Sequence, residues 1–205
     1  MKRKPVRSRR RRALRWTAAL CMLVLVCHWL GLYGLTPRRA LQKQERYLFT
    51  GGLMLVDSVR DDYERGFGVG RILAAENDEF FLLGLARWTP WKGWQPGFAW
   101  TVERTDSAVD ALNAYYSWDF EHARYPHTLF GYVNDARAAG VQFRAENGLW
   151  QNAVLRTDRA GRRYFLETYV SETPEAELML LDAQGNDLVG SVIPEAISLM
   201  YDWDI

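Results

Sequence analysis

The chain has 205 residues, 48% of them hydrophobic and 14% aromatic, which is enough for one ordinary core. Its formal net charge of +1 conceals an asymmetry: of 26 Lys plus Arg, nine precede Trp16, and the remaining 17 face all 25 Asp plus Glu. That acidic bulk excludes nucleic acid as the expected partner. The two cysteines, Cys21 and Cys27, sit together in an apolar stretch, which excludes a disulfide framework for the rest.

Residues 1–15 form a basic tail with Lys2, Arg3, Lys4, Arg7, Arg9, Arg10, Arg11, Arg12 and Arg15 and no acid. Trp16 to Leu35, WTAALCMLVLVCHWLGLYGL, then runs twenty residues without Asp, Glu, Lys or Arg. As one helix it would measure roughly 30 Å, the thickness of a bilayer's hydrocarbon core. The stretch predicts a transmembrane signal-anchor helix over 16–35. Positive charge stays on the cytoplasmic side, so the tail is expected inside and the C-terminal domain outside the cell membrane. Trp16 at one boundary, and Trp29 and Tyr33 near the other, suit the headgroup level. The competing reading is a cleaved signal peptide. Its apolar region is shorter, about 7–15 residues, and ends in a small-x-small site that GLYGLTP matches poorly. Bulky Val26 before Cys27 argues against a lipoprotein, and His28 reads as a neutral side chain tolerated near the outer third.

Thr36-Pro37 is a helix start, a hydroxyl cap followed by Pro at the first helical position. Leu41, Gln44 and Leu48 follow at helical spacing, and Gly51-Gly52 ends the run. A short amphipathic helix over 37–49 is predicted, within a stalk and linker over 36–52 that lifts the domain off the bilayer. Arg38, Arg39, Lys43 and Arg46 would also suit anionic headgroups if the helix lay on the surface.

From Leu53 the apolar period shortens. LMLVDSV, FGVGRILAA, EFFLLGLARW and FAWTVER read as strands. Asp106 to Phe120 reads as a helix, with Asp106 as cap and Val109, Leu112 and Tyr116 as its stripe. Strands resume at TLFGYV, VQFRA and LWQNAVLRT. Asp158-Arg159-Ala160-Gly161 turns into RRYFLETYV, and a second hairpin joins ELMLLDA to DLVGSVI through Gln184-Gly185-Asn186. Residues 195–201, after Pro194, read as one or two helical turns. The pattern predicts a single, mainly β domain over 53–205, a sandwich or barrel-like fold with α+β as the variant.

Chemistry-bearing residues are sparse. His122 and His127, with Asp119 and Glu121, lie in DFEHARYPH, whose spacing is not the i, i+4 pair of a zinc helix. No metal or cofactor is expected. A serine triad would have to recruit His122 or His127, with Ser117 and Asp119 nearby, and no Gly-x-Ser-x-Gly elbow is present. Gly66, Gly68 and Gly70 fall inside a strand-like run, where glycine marks a bulge or a close backbone approach more often than a phosphate loop. Neither Asp61, Asp62 and Glu64 nor Asp182 with Asp187 follows a calcium-loop pattern.

The candidate binding residues are Trp88, Trp91, Trp94 and Trp100 in RWTPWKGWQPGFAW. Pro90, Gly93, Pro96 and Gly97 forbid a helix, so a loop between two strands is expected. At least two indoles should fold back on the core, with Trp91 as the exposed tip. The alternatives to such a lid are a platform that stacks on a cell-wall glycan or an envelope protein, with Trp91 carrying the binding, or a segment that dips into the outer leaflet. The whole reads as a single-pass membrane-anchored protein whose extracytoplasmic β-rich module binds or supports a partner at the cell envelope, without catalysis. The alternative is an extracytoplasmic hydrolase acting on cell-wall material or peptides, which requires His122 or His127 beside Ser or carboxylates in a cleft.

Overall fold

The computed structural model describes residues 6–48, 50–61, 69–116, 125–145 and 148–199. Two helices and twelve strands form among them, so the protein is mainly β. The helices are α1 (Val6–Trp29) and α2 (Pro37–Leu48). An antiparallel sheet A contains β1 (Met54–Asp61), β2 (Val69–Glu76), β3 (Phe80–Thr89) and β4 (Gly93–Glu103) in chain order. Sheet B is built from β5 (Val109–Tyr116), β6 (Tyr125–Val133), β9 (Arg156–Thr157), β10 (Arg163–Ser171) and β12 (Glu195–Leu199), in the order β12-β5-β6-β10-β9. Sheet C takes β7 (Gly140–Ala145), β8 (Gln151–Ala153) and β11 (Ala176–Leu181), in the order β11-β7-β8.

The layers follow from which residues share a core. Phe81, Leu83 and Ile72 of sheet A meet Leu112, Phe130, Tyr132, Tyr164 and Leu166 of sheet B. From the other face of sheet B, Val109, Leu129, Val133, Phe165 and Tyr169 meet Val141, Phe143, Leu178 and Leu180 of sheet C. On the outer face of sheet A, Leu73, Ala75, Leu82 and Ala86 pack under Ala40 and Leu41 of α2. The order is α2, sheet A, sheet B, sheet C. Alternation along each strand sends even-numbered β6 residues to sheet A and odd-numbered ones to sheet C. Gly131 lets Phe165 cross β6, since a Cβ there would lie 2.6 Å from the Phe165 ring.

The predicted helix over Asp106 to Phe120 is a strand, β5, over its described part. Because sheet B is covered on both faces, apolar residues occur at both parities, and Val109, Leu112 and Tyr116 match helical spacing only by coincidence. Asp106 caps nothing: Asp110 instead accepts from Thr105 Oγ1 at 2.5 Å and Ser107 Oγ at 3.0 Å. Residues 195–199 likewise form β12, parallel to β5, rather than helical turns. The Asp158–Gly161 hairpin is present, closed by Asp158 N donating to Arg162 O at 2.9 Å. The return arm of the second hairpin is reduced to the bridges Leu181–Asp187 and Leu178–Val192.

The apolar stretch 16–35 is not one helix. α1 begins at Val6 and ends at Trp29, so it takes fourteen of the twenty uncharged residues. Gly31, at φ +78°, closes the helix: Leu32 N donates to Cys27 O at 2.8 Å and Gly31 N to His28 O at 3.0 Å. No described helix is long and apolar enough to cross a membrane.

The helix predicted over 37–49 is α2, but it docks on sheet A instead of standing off as a stalk. Ala40, Leu41 and Gln44 are buried. β4 carries one extra residue, at Gly97 and Phe98, opposite Leu85 of β3, and at this bulge Gln44 Nε2 donates to Leu85 O at 2.9 Å. Gly84 leaves room for that amide, since a Cβ there would lie 2.7 Å from Gln44 Oε1.

Charge ties sheet A to sheet B. Glu76, 2% exposed at the end of β2, accepts from both Arg104 and Arg162. Arg104 also lies 4.3 Å above the buried Tyr132 ring. Arg156 pairs with Asp57 of the β1 bulge, and Tyr164 Oη donates to the same carboxylate at 3.2 Å. Removing a buried carboxylate strands its cations. Glu76→Ala should therefore cost about 3–5 kcal/mol in urea unfolding, because Arg104 and Arg162 lose their shared counter-charge between the sheets.

Candidate functional site

The tryptophan segment is a β-hairpin rather than an irregular loop. Trp88 of β3 pairs with Trp94 of β4, and Pro90, Trp91 and Lys92 form the turn, with Gly93 at φ +65°. Pro96 is tolerated because β4 is the edge of sheet A. The four indoles do not share one face. Trp94 packs against the α2 core and is half-buried, as is Trp88. Trp91 stands at the tip, 87% exposed, where the sequence places it. Trp100 lies on the opposite face from Trp94. It stacks on Phe98, with ring centroids 6.0 Å apart and planes 19° off parallel. Both rings are about two-fifths exposed, and their alternation along β4 is the signal that could have paired them.

A cavity of about 210 Å³ opens between the end of β2 and the β9–β10 turn, lined by Arg38, Met54, Glu76, Asp158 and Arg159 among others. Burial pushes the Glu76 carboxyl above its ordinary range, against the pull of its two guanidiniums. Asp158 is shifted the other way. Burial opposes its ionisation, but the Arg162 backbone N–H, Glu76 and the Arg162 side chain together hold it low. Environments that separate two carboxyl groups mark acid–base pairs. Here each Glu76 oxygen is already taken by a guanidinium, so the pair serves as a structural tie.

His127 is the centre of a buried polar group between sheets B and C. Its Nδ1 lies 3.0 Å from Asn113 Oδ1, and Asn113 is oriented by its Nδ2 donating to Pro174 O at 3.0 Å. Its Nε2 lies 2.8 Å from Ser171 Oγ. Ser, His and Asn thus stand in the order of nucleophile, base and orienting group. Sequence reasoning named His127 but neither Ser171 nor Asn113, which lie far from it along the chain. The arrangement is sealed: His127 is 2% exposed, Ser171 8% and Asn113 0%. Ser171 Oγ is also hydrogen-bonded to the Thr173 carbonyl, and the Tyr169 ring stacks 4.5 Å over the imidazole. Among the described residues this is a satisfied core histidine, closed off from solvent. Ser117, Asp119, Glu121 and His122 lie outside the described residues, as do Asp62, Glu64, Gly66 and Gly68. Among the described residues no three His, Cys, Asp or Glu side chains gather as metal ligands.

Burial lowers the His127 pKa from 6.5 to about 4, outweighing the Thr173 carbonyl that favours the charged ring. The unfolded chain therefore takes up a proton that the folded protein refuses. Stability should be full above about pH 6.5 and fall as the pH drops towards 4, by as much as about 3 kcal/mol. Urea unfolding at pH 7 and pH 5 measures this, and His127→Gln should show a smaller difference between the two. In the hairpin, Trp94→Ala should cost about 2–4 kcal/mol through lost packing under α2, whereas Trp91→Ala should stay within about 0.5 kcal/mol. No protein-family model matches the chain, and no curated protein or solved structure is similar to it.

Proposed function

We propose that the protein is a single-pass membrane-anchored module, with its N-terminus cytoplasmic and its β-rich domain outside, that binds or supports a partner at the cell envelope. One observation carries the anchoring: among the described residues, the apolar side chains of α1 join none of the domain's cores. Trp16, Leu20, Met22, Leu23, Leu25 and Trp29 are all exposed, and no α1 residue belongs to any of the three cores. A helix apolar on all sides requires an apolar environment. Its uncharged part, 16–29, spans roughly 21 Å, less than the hydrocarbon core. The Arg15 stem reaching outward to the inner interface, together with the apolar turn over 30–35, supplies the remainder.

The binding surface narrows to Phe98 and Trp100. Two stacked rings on an edge strand, partly exposed, suit the apolar face of a glycan or an aromatic-bearing envelope protein. Catalysis is no part of the proposal, because the buried Ser171–His127–Asn113 set lacks the cleft that the hydrolase alternative requires. A C-terminal reporter active only outside the cytoplasm should be active on the full chain; activity of a cytoplasmic reporter there instead would refute the topology. Trp100→Ala should lose retention on envelope fragments at unchanged melting temperature, and full retention would sink the stacking surface.

A further inference from the structure

The end of α1 and the tip of the β3–β4 hairpin are joined rigidly. Gly34 N donates to Lys92 O at 3.0 Å, and Trp94 N donates to Gly34 O at 2.7 Å, so the segment after α1 adds a bridge to the start of β4. The approach requires glycine on both sides. A Cβ on Gly34 would lie 2.2 Å from Trp94 O, and one on Gly93 would lie 2.2 Å from Gly34 O. Arg39 of α2 completes the joint, with Nη2 3.0 Å from where a Cβ of Gly31 would stand, at the negative end of the α1 dipole. The segment after α1 and the hairpin therefore share backbone hydrogen bonds, and α2 joins them through the side chains of Arg39 and Lys43.

Two kinds of surface meet at this joint. Trp29, Leu30, Leu32 and Trp91 are exposed large apolar residues on the two connected turns. Lys43 of α2 reaches the hairpin, its Nζ donating to Gln95 Oε1 at 3.0 Å, and burial first, then Arg39 and Lys92, lower its ammonium pKa. Indole and aliphatic side chains beside a cluster of cations are the composition of a headgroup-level belt. The shortness of the helical part of the apolar stretch gives the belt a place, since the chain leaves its helix before the stretch ends.

We propose that this joint is a lipid seat: Trp91 enters the outer leaflet beside Trp29 and Leu32, Lys92, Lys43 and Arg39 meet anionic headgroups, and the domain is held directly on the bilayer. The seat rests on the anchored reading above. Its occupant is the lipid surface, because the apolar side chains of the joint continue those of α1 and the cations match phosphate. α2 then lies near the membrane as part of the domain.

The test uses the full chain with Cys21→Ser and Cys27→Ser, reconstituted in vesicles of phosphatidylethanolamine and phosphatidylglycerol. Single cysteines introduced as Leu23→Cys, Trp91→Cys or Gln184→Cys carry an environment-sensitive dye, and lipids with a shallow or a deep spin label quench it. The expected result is loss of most emission at position 91 with the shallow label and at position 23 with the deep one. Position 184, exposed in the turn after β11, should keep its emission with both. Quenching at 23 but not at 91 overturns the seat and leaves the anchor standing. A blue-shifted but unquenched dye at 91 also overturns it, assigning the tip to a second copy of the chain. Absence of quenching at 23 removes the anchor and the seat together.

Discussion

The protein's architecture depends on sheet B being buried on both faces. An antiparallel sheet commonly keeps one face in water; this one, antiparallel except for the β12–β5 pair, does not. The burial of β6 at every position of PHTLFGYV, Pro126 to Val133, follows directly. Phe130 and Tyr132 need sheet A on one side, and Leu129 and Val133 need sheet C on the other. Neither outer sheet is optional, since removing either would put a row of large apolar side chains into water.

That double burial dictates how polar groups are handled. Any polar side chain on sheet B must find its partner inside the protein. Asn113, His127 and Ser171 do so with one another and with the 173–174 backbone. A geometry that could be taken for catalytic is here the requirement of a dry layer: the imidazole stays neutral because charging it would mean desolvating an ion. The Glu76 network solves the same problem at the rim. A carboxylate between two guanidiniums, one of them over an aromatic ring, closes the gap between sheets A and B where the apolar contact ends.

At the opposite face of sheet A the organising feature is a bulge. The extra residue in β4, at Gly97 and Phe98 opposite Leu85, breaks the β3–β4 ladder, and Gln44 donates to the Leu85 carbonyl there. This fixes α2 on the sheet and places its basic residues beside the hairpin turn. The hairpin turn is in turn bound to the exit of α1 through Gly34 and Gly93. The apolar helix and the domain consequently have a defined relation, which a free stalk would not give, and the proposed position at the bilayer surface is a property of the fold and not of a linker.

Local chemistry was legible in the sequence. The apolar stretch after a basic tail, the start of α2 at Pro37, most strands, the Asp158–Gly161 turn and the exposed Trp91 all follow from residue type and short-range spacing. So does the absence of disulfides beyond Cys27. What the sequence misjudged were features decided between distant segments. β5 carries a helical stripe by coincidence because two sheets cover it, and β12 pairs with β5 across most of the domain. α2 reads as a stalk until the bulge carbonyl that binds Gln44 is in place. Trp88, Trp91, Trp94 and Trp100 read as one cluster until the hairpin turn sets Trp91 at its tip and the β4 bulge puts Trp94 and Trp100 on opposite faces. His127 reads as one of two histidines without ligand spacing until Asn113 and Ser171 arrive from other strands. Periodicity reports how much of a residue is buried along its own element, whereas the partner that buries it is set by tertiary pairing, which only the folded chain supplies.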